Sequence, residues 1–240
     1  MTAYTARLEG REEVAQGTMA FHFEKPAGFS FKPGQTIDVV LIDAPTADAQ
    51  STRHTFSIVS APFQGELVVA TRMRDSAFKR AFKSMSIGSP AKLEGPFGSL
   101  TLHKNRARPA VFIAGGIGIT PFMSMLRQAA KDRSPQPLYL VYSNRRPEDA
   151  AFFAELQDLE RENRNFRMLA TMTEMSKSAR KWEGETGVVN SDLLKRFAGG
   201  LVSPVYYVVG PPTMVKAMQE SLSRAGVDGD DVRMEEFYGY

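Results

Sequence analysis

The stretch PAVFIAGGIGITP, from Pro109 to Pro121, decides how this chain is read. It opens on an uninterrupted apolar run, Ala110, Val111, Phe112, Ile113 and Ala114, of the kind that forms a strand buried on both faces. Gly115, Gly116 and Gly118 follow, and they permit a tight turn and close backbone approach. Thr120 suits a helix cap and Pro121 the first helical turn, where its missing N–H is not needed. Phe122, Met125, Leu126 and Ala129 then recur at helical spacing. A glycine turn leading into a helix N-terminus offers free N–H groups and a positive dipole end, which suits a pyrophosphate. The common dinucleotide fingerprint, G-x-G-x-x-G, is nevertheless not met, because Pro121 stands where the third glycine belongs. Nor does an acidic residue close the next apparent strand, 137–142, which leads into Ser143, Asn144, Arg145 and Arg146.

On either side of this stretch the periodicity differs. Before it, short apolar segments at 36–42, 55–59, 66–71 and 91–94 alternate with turn residues such as Pro33-Gly34 and Gly95-Pro96. That spacing predicts an antiparallel barrel or sandwich, interrupted by one helix over 76–85. After it come apolar strands at 138–141, 166–171 and 205–209. A helix opens at Pro147, Glu148 and Asp149 and carries Phe152, Leu156 and Leu159 on one face. A second, 213–225, carries Met214, Met218 and Leu222. Alternating strands and helices predict a doubly wound parallel sheet. The expected division is a first domain over 1–105 and a second over 106–240.

Composition excludes several chemistries. The chain has no cysteine, which rules out disulfides, thiolate nucleophiles and cysteine-ligated zinc or iron–sulfur centres. Its three histidines, His22, His54 and His103, are too dispersed to suggest a metal site. A net charge of +3 with scattered basic residues gives no case for nucleic acid. No apolar run has the length of a membrane span and the N-terminus lacks a signal-peptide core, so the expectation is a cytoplasmic protein.

Five further motifs, in order along the chain, carry a resemblance. They are Phe31-Lys32-Pro33-Gly34-Gln35, Phe56-Ser57 within RHTFSIVSAP, Gly95-Pro96-Phe97-Gly98, Gly210-Pro211-Pro212 with Met214, and Glu235-Glu236-Phe237. With the glycine turn, these resemble the ferredoxin–NADP reductase superfamily. The resemblance implies a Greek-key flavin-binding barrel, holding FAD or less often FMN. It also implies a parallel α/β domain binding NADH or NADPH. Phe56 would then wall the flavin ring and Ser57 would hydrogen-bond its N5. Gly95 and Gly98, in the barrel's G-P-x-G turn, would contribute to cofactor binding, while Arg74 and Ser76, in RDSAFKR, would bind the flavin phosphates. The family arginine falls at His54, so Arg53 is the expected replacement, with Arg74 or Lys79 as alternatives. Gly115, Gly116 and Gly118 would hold the nicotinamide cofactor's pyrophosphate. Thr120 would lie near the nicotinamide, and Gly210 and Pro211 would form the opposite lip. Phe237 would cover the flavin and move aside as a gate, a role for which Tyr238 and Tyr240 compete. Val209 replaces the family cysteine.

The activity so implied is a flavin reductase moving a hydride from NAD(P)H to flavin. Electrons then pass to a separate acceptor: a ferredoxin-type carrier, an oxygenase component or a small molecule. Two other readings are a non-catalytic electron-transfer subunit and a mononucleotide-binding α/β half on a structural barrel. Arg145, Arg146, Arg164 and Arg167 are candidate partners for a 2′-phosphate. Thr171, Met172, Thr173 and Glu174 lack the family's Ser-Arg pair, which favours NADH.

Overall fold

The structure is a computed structural model in which residues 2–42 and 52–238 are described. The chain forms two compact units: Met1–Thr101 with Thr120–Gln128, and Leu102–Ile119 with Ala129–Tyr240.

The first unit is an antiparallel sheet of six strands: β1 (Ala3–Ala15), β2 (Thr18–Glu24), β3 (Thr36–Leu41), β4 (Arg53–Ser57), β5 (Glu66–Arg72) and β6 (Pro90–Phe97). Their order is β4-β3-β6-β1-β2-β5. The sheet curls shut where Ile58, just past β4, bridges Val69 of β5, and the Val59 N–H donates to the Val68 carbonyl at 2.8 Å. The barrel expectation is met, and closure removes the open sheet edges. The hairpin of β1 and β2 goes beyond the sequence reading. Tyr4, Ala6 and Leu8 point inward and Thr5 and Arg7 outward, a period-two pattern made faint by small side chains.

Helix α1 (Ala77–Ser84) follows β5, one residue inside each end of the predicted span. The Ser76 hydroxyl accepts the Lys79 N–H at 3.2 Å and caps it. Phe78 and Phe82 face the barrel interior, where Phe82 stacks on Phe21 with ring centroids 3.7 Å apart. Burying each such ring stabilises the unit by roughly 2–3 kcal/mol. The Ser124 hydroxyl donates to the Ser60 carbonyl at 2.7 Å, and Arg127 donates to the Val59 carbonyl at 3.0 Å.

The second unit is a parallel sheet: β7 (Ala110–Gly115), β8 (Leu138–Asn144), β9 (Phe166–Met172), β10 (Glu185–Thr186), β11 (Val205–Gly210) and β12 (Val232–Glu236). Its order is β10-β9-β8-β7-β11-β12. Its helices are α3 (Phe153–Glu162), α4 (Ser191–Ala198) and α5 (Pro212–Arg224), while α2 (Thr120–Lys131) has its first nine residues in the first unit. Val111, Ile113, Val141 and Val208 pack on Leu193, Leu194, Val215, Met218 and Leu222 of α4 and α5. The parallel expectation holds, while β10, β12 and α4 add to it.

Two helix starts are corrected. Thr120 is not a cap: a 3₁₀ turn over Gly116–Ile119 runs straight into α2, so the helical path begins four residues earlier. Pro147–Asp149 forms its own 3₁₀ turn, and α3 starts only at Phe153 because Phe152 takes a left-handed φ of 59°.

At the N-terminal edge of this sheet His103 is buried. Its Nε2–H donates to the Arg108 carbonyl (3.1 Å), and Nδ1 accepts from the Tyr207 hydroxyl (2.8 Å). The same hydroxyl oxygen accepts the His103 backbone N–H (2.8 Å). Burial lowers the His103 pKa from the ordinary histidine range, and the arginines Arg233, Arg108 and Arg106 push it the same way. The folded protein therefore resists a proton that the unfolded chain takes up near pH 6.5. Stability is held above that pH and is lost as pH falls below it. Urea midpoints at descending pH should show this loss, with a shallower slope in His103→Gln. An unchanged slope would remove His103 from the effect.

Candidate functional site

Each unit carries its own cluster. In the barrel, β4 places neighbouring side chains on opposite faces. Arg53 and Thr55 share a face with Asp38, and the Arg53 guanidinium is held by Asp38 (2.8 Å) and Glu94 (2.7 Å). Lys92 holds the other oxygen of Glu94 at 2.7 Å, and its hydrogen bond is the foremost reason the Glu94 carboxyl lies below the usual range. His54 and Phe56 lie on the other face. The His54 ring meets Phe56 at 4.7 Å and Phe78 at 5.4 Å. Burial, helped by Lys79, lowers the His54 pKa and keeps it neutral near pH 7. The expectation that Arg53 replaces the family arginine thus meets a guanidinium already engaged, and on the face away from Phe56.

Cations do gather on the Phe56 side. Lys79 is buried, and its ammonium donates to the Arg72 carbonyl at 2.8 Å. Burial lowers its pKa, and Arg74 adds to this. No carboxylate pairs with Lys79 or Arg74 among the described residues, and the buried Nε of Arg72 has no hydrogen-bond partner. With Ser76 capping α1, this is a cluster of cations without carboxylate partners that suits a phosphate. Ser57 ends β4 with its hydroxyl buried and without a partner. A lone buried hydroxyl costs stability unless something binds it. Gly95 (φ 147°) and Gly98 (φ 86°) close the nearby turn after β6.

In the second unit, the chain leaves β7 toward β8 on one side, while β11 lies on the other. The carboxyl ends of β7 and β11, at Gly115 and Gly210, therefore flank the switch point where open α/β sheets bind ligands. The glycines do something the sequence did not show. A Cβ on Gly118 would lie 2.4 Å from the Val209 carbonyl oxygen, and one on Gly115 would lie 2.4 Å from the Met214 sulfur and 2.8 Å from Pro211. They let the turn press against the end of β11 and the start of α5. Gly116 takes the positive φ, 53°, that the turn needs.

At this edge Pro211 precedes α5, while Thr120, which belongs to the first unit, is buried. The Phe237 N–H donates to the Gly210 carbonyl at 2.9 Å, which extends β12 alongside that lip. Phe237 is half-buried and Tyr238 is exposed, while Tyr240 lies outside the described residues. Glu235 was read only as part of a motif. One of its carboxylate oxygens is buried without a partner, and burial raises its pKa. Asn144, ending β8, is likewise buried with neither amide atom bonded.

The candidate 2′-phosphate cations do not converge. Arg164 and Arg167 sit at the start of β9, the opposite end of the sheet. Arg146 makes a two-pronged pair with Asp149 at 2.8 and 2.9 Å. Glu174 pairs with Lys177 at 2.7 Å and lies 3.8 Å from Arg145. The Lys177 hydrogen bond is the main reason its carboxyl lies below the usual range. No cluster of metal-ligating side chains occurs among the described residues, and no helix there is long and apolar enough to cross a membrane.

The model of the oxidoreductase NAD-binding domain matches residues 112–220. Ferredoxin–NADP reductase B of Sorangium cellulosum is 27% identical, with 98% of this chain and 97% of that protein aligned. The chain is thus similar to members of the ferredoxin–NADP reductase superfamily. Other relatives are longer. The propane 2-monooxygenase reductase component of Rhodococcus jostii is 27% identical across 89% of this chain and 57% of its own length. The glycine betaine monooxygenase reductase subunit of Chromohalobacter salexigens is 25% identical across 92% and 60%. The chain thus spans about three-fifths of these two relatives. A Neisseria gonorrhoeae ferredoxin NADP+ reductase solved with bound FAD and NADP superposes with a TM-score of 0.79, at 21% identity and 98% coverage of both chains. An Amycolatopsis cytochrome P450 reductase gives 0.83 at 18% identity, covering 98% of this chain and 70% of that one. At these identities the two structures speak to the fold, and they share the superfamily's two-domain design.

Proposed function

We propose that this protein is an NAD(P)H-dependent flavin reductase that binds FAD in its barrel and NADH in its parallel domain. The observation that carries the reading is the buried, unpartnered Ser57 hydroxyl beside Phe56, with the unpaired cations Arg74 and Lys79 on the same side. An apolar wall, one hydrogen-bond donor and a phosphate cradle are what a flavin dinucleotide demands, so the residues present fit the group.

FAD, when bound, supplies the hydride-accepting ring and the electron relay. The chain's own residues bind and orient. Ser57 donates a hydrogen bond, Phe56 excludes water from one ring face, and Lys79 with Arg74 and the capped start of α1 neutralises the pyrophosphate. In the parallel domain the switch point at Gly115 and Gly210 takes the nicotinamide dinucleotide. The N–H groups of the 3₁₀ turn face its phosphates, and Phe237 acts as the gate.

Lys79, rather than Arg53, is assigned the phosphate charge. Lys79→Met should weaken FAD binding at least about tenfold, whereas Arg53→Met should change it less than about threefold. The reverse order in a flavin titration would return the role to Arg53.

The acceptor is assigned as a separate oxygenase component or its carrier. Relatives named as monooxygenase reductase components support this. So does the absence of cysteine from the chain, which leaves it no thiolate to ligate an iron–sulfur cluster. The reading also places the protein in the cytoplasm.

Purified protein should be yellow and should reduce an artificial dye faster with NADH than with NADPH. At the C-terminal edge of β9, where the family discriminates, Glu174 already engages Lys177 and Arg145, so these cations are not free to hold a 2′-phosphate. Preference for NADPH would overturn the nucleotide assignment. A yellow protein without turnover would favour the electron-transfer subunit, and a colourless one that binds no added flavin would overturn the flavin site.

A further inference from the structure

We propose that the groove between α4 and α5 is a binding site for a small amphipathic organic anion, an apolar body carrying one carboxylate, sulfonate or phosphate. The groove is open to solvent and holds about 540 Å³, within the range of small-molecule sites. Val189 and Met218, both largely buried in the core between the helices and the sheet, form its base. Ser191, Lys195, Ser221 and Arg224 also line it.

Charge settles the class of ligand. Both charged residues that line the groove are cations. The Lys195 ammonium has no carboxylate partner among the described residues. Arg224 meets the Glu220 carboxylate at 3.4 Å and the Glu220 carbonyl at 3.3 Å, with its side chain 78% exposed, a loose pair that a better anion displaces at little cost. An apolar floor under two cations and two hydroxyls complements an amphiphile with an anionic head. A neutral oil would leave the cations unused, and an inorganic anion would leave the floor wet.

The site is separate from the nucleotide edge. Gly210 and Pro211 precede α5, whereas Ser221 and Arg224 lie in its last turns, about 14 Å along the helix at 1.5 Å per residue. An occupant of the groove therefore leaves the nucleotide edge open. This inference does not depend on the flavin reading.

The test is equilibrium dialysis of anilinonaphthalene sulfonate against the protein as purified, with and without added NAD⁺. One saturable site is expected, with phenylnaphthylamine, the same body without the anion, bound at least about tenfold more weakly. Lys195→Glu combined with Arg224→Glu should weaken sulfonate binding at least about tenfold. Ala217→Trp, an exposed position that fills the groove, should do the same with the melting temperature unchanged. Equal binding of the neutral analogue would overturn the proposal. So would undiminished binding in both variants, or displacement of the sulfonate by NADH.

Discussion

Ser57→Ala is expected to keep its flavin and lose speed. Removing a buried hydroxyl that has no partner in the protein opens little space and relieves an unpaired donor, so the fold is retained or slightly firmer. What disappears is the single side-chain donor that β4 presents next to Phe56. Loss of one such positioned donor typically costs about ten- to a hundredfold in rate, or roughly 1.4–2.7 kcal/mol of barrier. Single-turnover reduction of the bound flavin by saturating NADH is the measurement. An unchanged rate would take Ser57 out of the mechanism, and loss of flavin would make its role one of binding.

A large loss of stability is expected at Gly118. An alanine there sets its Cβ against the Val209 carbonyl at 2.4 and 2.7 Å, and both atoms belong to the backbone of a central strand. Nothing flexible can yield, so the turn or β11 must shift, at a cost of about 3 kcal/mol or more. The nucleotide edge is displaced with it, so nicotinamide binding should fall in the same variant. Gly229→Ala meets nothing within 4 Å and serves as the near-neutral control. Urea unfolding of the two variants makes the comparison. Equal midpoints would show that the turn stands off from β11.

From sequence alone, PAVFIAGGIGITP gives strand, turn and helix, with glycines that permit a tight turn and close approach but with no partner for that approach. Of the three, Gly116 serves the turn by its positive φ. Gly115 and Gly118 serve packing against Met214, Pro211 and Val209, residues about a hundred positions away that no local pattern can pair with them. The missed N-terminal hairpin has a different cause. Tyr4, Ala6 and Leu8 alternate correctly, but small side chains leave a weak period. The start of α3 was misread because Phe152 takes a left-handed backbone that β-turn chemistry gives no reason to expect of phenylalanine.

The chain's sequence by itself determined the two architectures, since the period of apolar residues is a local property that survives without knowledge of any partner. It also carried a family resemblance, through short motifs whose order is written in the chain. Which charges are spoken for was decided only by the tertiary structure. Arg53 and His54 are adjacent in sequence, yet strand alternation sends one to Asp38 and Glu94 and the other to Phe56 and Phe78. Arg164 and Arg167 have the right charge at the wrong end of a parallel sheet. Ser57, Arg72 and Lys79 become a candidate site because folding buries them without giving their polar groups a carboxylate or, for Ser57, any partner at all. Burial and pairing depend on distant segments meeting in space, and a linear sequence does not record which ones do.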